Sequence, residues 1–348
     1  MSSAIEAKWV SCFRRAFELS GIGTGTLVAI LSETLSRAVN VKLAELALIE
    51  LGARAFHVTM PTPPQAAPVP VRSTGASEAL QRNPAVVRAL SECEIVIDCT
   101  VEGLLHAPET PELLAAGTRI FMISNEHPEI LERLMPDPAL QPRVATAMEM
   151  LRQARQMRVT SAAGTDLAIE VAGAPVRGNA GYLDAAAKVA YWPGGLCLCF
   201  PKAGTVNGTL VMAPGDVNLT FKRYLETPIR LSIERDYVTA IDGDGLDAEL
   251  MRSYIAAWEE RDAYAVSHVG WGMNPRARWD ALALYDKADL NGTELRAFAG
   301  NFLYSTGANE TAGRFTRGHF DLPLRHCTIA LDNELIVDRG RLLPPLGD

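Results

Sequence analysis

The sequence predicts an α/β N-terminal domain over residues 1–157 and a β-rich α+β C-terminal domain over residues 158–348. Two observations carry this prediction. Before Arg158, short uninterrupted apolar runs alternate with helical stretches, the pattern of a mostly parallel sheet covered on both faces. After it, short alternating segments are broken by Gly, Pro, Asp and Asn, the pattern of antiparallel sheet.

Taken in order, residues 4–19 read as an amphipathic helix stopped at Gly21, and Thr26 to Leu31 as a short apolar strand. Residues 35–51, rich in Ala, Leu, Val and Glu, read as a helix ended by Gly52. Ala55 to Thr59 is a second strand, the Pro-rich stretch 61–70 a loop, and 77–91 a helix. Ile95 to Cys99 and Arg119 to Ile123 complete the strands, and 128–135 and 143–157 add helices. In the second half, Thr209–Met212, Ile229–Ile233 and Tyr237–Ile241 read as strands and 246–260 as a helix. Short strands resume around Ala265, at Phe302, and from His319 to Val337. The glycines of Ser20-Gly-Ile-Gly-Thr-Gly-Thr26 mimic a dinucleotide fingerprint. They follow a helix and precede a strand, the reverse of what that fingerprint needs, so they read as a helix stop and a turn.

Composition narrows the function. The chain has 348 residues, 48% hydrophobic and 21% charged, which suits a globular protein with a real core. Its net charge of −8 argues against a nucleic-acid partner. No apolar run is long enough to span a bilayer, and the charged N-terminus has no signal core, so a cytoplasmic location is expected. The six cysteines are scattered, unlike a secreted disulfide framework. Cys197 and Cys199 would share one face of a strand. A second pair for zinc is missing, so buried thiols are the expected reading. The N-x-T sequons at Asn207 and Asn291 are read as coincidence.

Six histidines are available for chemistry. His57 follows Phe56 in an apolar strand and reads as packing. His127 precedes Pro128 at a helix start and reads as local, and His326 stays open. His319 belongs to His319-Phe-Asp321. On a strand, residues i and i+2 share a face, roughly 6.5–7 Å apart, so imidazole and carboxylate can converge on one ion. Phe320 would then point into a core. Chance and surface hydrogen bonding account for most such pairs. His268 is the candidate third ligand, at the end of a strand before a turn forced by Gly270 and Gly272. Two histidines and one carboxylate form the facial triad of non-haem iron(II) oxygenases, with positions left open for substrate and O₂.

Several stretches carry a resemblance: Ser267-His-Val-Gly-Trp-Gly-Met-Asn-Pro-Arg276, Ala297-Phe-Ala-Gly-Asn-Phe-Leu-Tyr-Ser-Thr-Gly307 and His319-Phe-Asp-Leu-Pro-Leu-Arg325. With Trp192-Pro-Gly-Gly195, Gly208-Thr-Leu-Val211 and Leu104-Leu-His-Ala-Pro108, they resemble the 2,5-dihydroxypyridine 5,6-dioxygenase family over most of the chain. The resemblance implies Fe(II) held by His268, His319 and Asp321, and ring cleavage of a hydroxylated N-heteroaromatic by O₂. It also implies a homo-oligomer. His106 becomes the candidate acid/base, Tyr191 and Ser305 candidates for substrate hydrogen bonds, and Trp192 and Trp271 candidate pocket walls. Further family histidines fall near Ala168 and Tyr191, where this chain has none, which points to a changed substrate.

The family's scaffold is similar to that of the thermophilic-type two-metal aminopeptidases, so an aminopeptidase-T-like two-domain architecture is expected. Those peptidases need extra glutamates. One follows a turn like Trp192-Pro-Gly-Gly195, where this chain continues Leu196 and Cys197. Another opens a Glu-x-Gly-x-Gly motif, where this chain has His268. Losing two hard carboxylates favours a single iron over a dimetal hydrolase. A metal-dependent aminopeptidase and a non-catalytic binding protein are the alternatives.

Overall fold

The computed structural model describes residues 4–64, 75–185 and 187–347. A five-stranded sheet is built first, in the order Arg54–Met60, Leu27–Glu33, Ile95–Cys99, Arg119–Ile123, Val189–Trp192. Every neighbouring pair is parallel. The strands Leu27–Glu33 and Ile95–Cys99 are buried almost end to end, because each face meets its own core. On one face Val28, Ile30, Ile95, Ile97 and Phe121 pack against helices Ala7–Leu19 and Ala38–Glu50. On the other, Ala29, Leu31, Val96 and Ile120 pack near helix Pro84–Ser91 and the short helix Thr110–Ala115, which the sequence reading omitted. Gly21 lies at φ +79° just after the first helix, so the glycine-rich stretch is indeed a helix stop and turn. Of the Pro-rich loop, residues 65–70 lie outside the described residues.

The fifth strand, Val189–Trp192, comes from beyond residue 157 and was not anticipated. The first sheet therefore draws on both halves of the chain.

The second half forms two large antiparallel sheets and a two-stranded one, Val217–Asn218 with Arg223–Tyr224. Eight strands run in the order Tyr237–Asp242, Ile229–Glu234, Val206–Met212, Asp166–Glu170, Gln156–Ser161, Cys327–Leu331, Glu334–Asp338, Arg341–Leu342. Five run in the order Phe320–Leu324, Phe302–Thr306, Val266–Gly272, Leu196–Cys199, Val176–Asn179. They share one core, in which Met157, Val159, Leu167, Leu210 and Leu231 of the first meet Cys197, Cys199, Val269, Trp271, Tyr304 and Phe320 of the second. Cys197 and Cys199 do share a face, and all six cysteines are free thiols. No helix among the described residues is long and apolar enough to cross a membrane.

Candidate metal centre

The five-stranded antiparallel sheet has two faces of opposite character, set by the two-residue period of its strands. Register places Phe302, Tyr304, Phe320, Leu322, Val269, Trp271, Cys197 and Cys199 on the core face. The opposite parity carries Ser305 paired with Asp321, Gly270 paired with Leu198, and Leu198 paired with Arg177. A bulge between Val266 and Val269 lies beside His268. His319, one residue before its strand, and Asp321 turn to the same side as expected, while Phe320 packs edge-on to Tyr254 at 4.7 Å.

Here the structure joins three side chains. One ligand atom each from His268, His319 and Asp321 lie within 4.8 Å of one another. Oδ1 of Asp321 is 3.6 Å from Nε2 of His268 and 3.3 Å from Nε2 of His319. His268 and Asp321 are only 6% and 4% exposed.

His268 does not stand at a strand end. It lies within the continuous strand Val266–Gly272, and Gly270 and Gly272 make no turn. A Cβ on Gly270 would meet the carbonyl oxygen of Cys197 at 2.1 Å, and one on Gly272 would meet that of Phe298 at 2.3 Å. The glycines let neighbouring backbone approach, the other use of glycine in a strand.

Proton accounting fixes the state of His268. The hydroxyl of Ser267 donates its single proton to the carbonyl of Ala308 at 2.6 Å, so its 3.2 Å contact with Nδ1 must be accepted. Nδ1 then carries the hydrogen, and Nε2 turns a lone pair inward. Burial pushes the imidazole down to about 3, so it is neutral at physiological pH. Ser305 Oγ stands between Nε2 of His268, at 3.0 Å, and Oδ1 of Asp321. One hydroxyl proton cannot serve both acceptors. Burial alone would raise Asp321. The Arg296 guanidinium, which donates from Nε to Oδ2, outweighs it with the histidines and holds the carboxyl well below the usual range. Inward lone pairs thus outnumber protons among a carboxylate and imidazole nitrogens, a donor set that fits a divalent transition-metal ion.

A cavity of about 1000 Å³ opens beside this cluster and reaches His319, with His268 and Asp321 behind it. His106 and Tyr191 line it. The His106 ring lies 6.0 Å from that of His319, and burial pushes it down to about 4. Its loop is held by buried Asp98, which accepts from Thr100 and from the amide of Leu104, and its own amide donates to Gly75. Burial pushes the Tyr191 phenol up, keeping it protonated. Leu198 and Phe200 add apolar wall, with Phe200 5.6 Å from the His268 ring.

Three expected pocket residues stand elsewhere. Ser305 is fully buried between two of the clustered groups instead of facing the cavity. Trp192 is fully buried against Phe13, with its indole N–H on the carbonyl of Leu134. Trp271 is fully buried in the core between the antiparallel sheets. Strand parity explains both tryptophans, since their neighbours Tyr191 and Gly270 take the outward positions. Ala168 lies in the eight-stranded sheet, away from the cavity lining. Arg296, Ser267 and Phe200 were missed, and none carries a local sequence signal. His127 accepts from the amide of Glu129 as a helix cap, matching its local reading.

Among the described residues, His268, His319 and Asp321 form the one group of three or more possible ligands. Leu196 and Cys197 are both buried and offer no carboxylate.

Comparison with known proteins agrees with this picture. The family model described as 2,5-dihydroxypyridine 5,6-dioxygenase matches residues 8–344. The curated 2,5-dihydroxypyridine 5,6-dioxygenase of Pseudomonas putida KT2440 is 36% identical over 343 residues, 97% of each chain. The solved 2,5-dihydroxypyridine dioxygenase from that organism superposes with a TM-score of 0.92 at 35% identity, covering 99% of both chains. Wild-type AmpT from Thermus thermophilus superposes at 0.63 with 14% identity, covering 98% of this chain and 100% of its own, a likeness of fold alone.

Proposed function

The chain belongs to the 2,5-dihydroxypyridine 5,6-dioxygenase family, and from that premise we propose that it is an Fe(II)-dependent, ring-cleaving dioxygenase. The substrate is 2,5-dihydroxypyridine or a close hydroxylated N-heteroaromatic. The observation that carries this reading is the convergence of His268, His319 and Asp321 beside a cavity that a ring can enter. These three residues would hold the metal. When bound, Fe(II) supplies the link through which an electron-rich ring and O₂ react.

The chain's own residues divide the remaining work. Ser267 fixes the His268 tautomer so that Nε2 stays available. Neutral His106, in the cavity wall beside His319, takes a hydroxyl proton from the ring and returns it to product. Tyr191, held protonated, donates a hydrogen bond to a ring oxygen instead of acting as a base. Leu198 and Phe200 shield the ring from water. For 2,5-dihydroxypyridine the balance closes without another reactant. The bond between ring carbons 5 and 6 breaks, both atoms of O₂ enter, and the product is N-formylmaleamate.

Oxygen consumption tests the proposal. Protein reconstituted anaerobically with Fe(II) is given 2,5-dihydroxypyridine, then hydroxypyridines, hydroxypicolinates and dihydroxybenzoates. One O₂ taken up per ring lost is expected for at least one of them. Iron-loaded protein that takes up no O₂ with any, yet releases amino acids from peptide amides, would overturn it.

A further inference from the structure

We propose that Arg296 is a positioning and specificity-determining residue that makes the metal site select anionic, chelating ring oxygens. This rests on the metal-binding reading above. Asp321 presents its two oxygens to different partners: Oδ2 accepts the Nε hydrogen of Arg296, while Oδ1 faces both imidazoles. The carboxylate can therefore offer one oxygen without breaking its pair with Arg296. Three single-atom protein ligands leave adjacent positions for a chelate.

Charge gives the second half of the argument. His268, with the hydrogen on Nδ1 facing Ser267, offers only the lone pair of Nε2, and the guanidinium cancels the charge of Asp321. The immediate protein groups then leave the charge of a divalent ion uncompensated, so the ligand must supply the negative charge. Three of the five carboxylates in the cavity wall are engaged elsewhere. Glu33 accepts from Ser77, Glu78 pairs with Arg317, and Glu260 accepts from Thr316. Tyr191, beside Arg296, is held protonated and adds no charge.

Arg296 is also firmly placed. Its helix, Thr293–Ala297, is short, but Glu126 accepts from the amides of Asn291, Gly292 and Thr293. Arg133 grips Glu294 through two hydrogen bonds of 2.6 and 2.7 Å. Asn301 donates to the carbonyls of Leu295 and Arg296. An arginine held this way is a fixed charge, which a lysine would replace in sign but not in shape.

The test compares wild type, R296Q and R296K, each loaded with Fe(II) under argon. Iron content and circular dichroism are measured first. Affinity is then measured for 4-nitrocatechol, an anionic chelator followed by its visible absorption, and for nitric oxide, a neutral ligand followed by electron paramagnetic resonance. R296Q is expected to keep its iron and its nitric oxide affinity while binding 4-nitrocatechol about tenfold or more weakly. R296K should recover most of that loss. Equal 4-nitrocatechol affinity in R296Q and wild type would overturn the inference, as would an equal loss for both probes. Should R296Q not fold, R296M takes its place, removing the charge from a side chain of similar length, with the same expected and overturning results. Failure of wild type to retain iron would sink the metal reading itself, whereas iron-loaded wild type matched by R296Q sinks this inference only.

Discussion

At the residue scale, the proposed chemistry depends on side chains that hold the site as well as on those that line it. Ser267 has one proton and gives it to Ala308, and that choice dictates which nitrogen of His268 is free. Ser267→Ala is therefore expected to weaken iron binding about 10–100-fold while leaving the fold intact, measured by chelator competition. His106→Ala should act differently. It would remove the proposed proton carrier and none of the proposed ligands, so turnover should fall about 10²–10⁴-fold with iron content unchanged. Equal iron loss in the two variants would show that His106 is a ligand or a structural prop. Burial pushes both imidazoles down, because charging them inside the protein loses hydration that the neighbouring Asp321 only partly replaces.

At the element scale, the strand Val266–Gly272 does two jobs, holding His268 on one face and Trp271 in the core on the other. Gly270→Ala would drive a methyl group into the Cys197 carbonyl and the Leu198 side chain. A loss of about 1–3 kcal/mol is expected in denaturant unfolding, together with weaker iron binding, because the shifted backbone carries His268. Much of this architecture was legible. Ile95–Cys99 and Arg119–Ile123 were found with the right bounds, since unbroken apolar runs have few other uses. His319 and Asp321 could be paired from their spacing, because a strand's period leaves no choice of side. The failures also have causes. Glycines in His268-Val-Gly-Trp-Gly272 look alike whether they turn a chain or admit a neighbouring strand, and only the partner strand distinguishes the two. Val189–Trp192 is too short to declare a sheet that its sequence neighbours do not belong to. Arg296 acts across 25 residues of chain, a distance over which spacing carries no information.

At the scale of the whole molecule, the proposed ligands sit on or just before two strands separated by a third, Phe302–Thr306, so an ion would tie the edge strand of the sheet to its central one. Metal bound only by the folded state adds stability by mass action, about 4 kcal/mol at a thousandfold excess over its dissociation constant. Thermal melting should thus fall by several degrees when a chelator is added to wild type, and should not respond to it in His319→Ala. A shift of equal size in both would place the stabilising metal elsewhere. The cavity wall and the core beneath it are read from alternate residues of the same strands: Tyr191 beside Trp192, Leu198 between Cys197 and Cys199, Arg177 beside Val176. For anyone redesigning the enzyme, this arrangement is a ready-made partition of the sequence. A combinatorial library confined to positions 177, 191, 198 and 200 samples new ring shapes on a scaffold left untouched, whereas moving each choice by a single position would screen mostly insoluble protein.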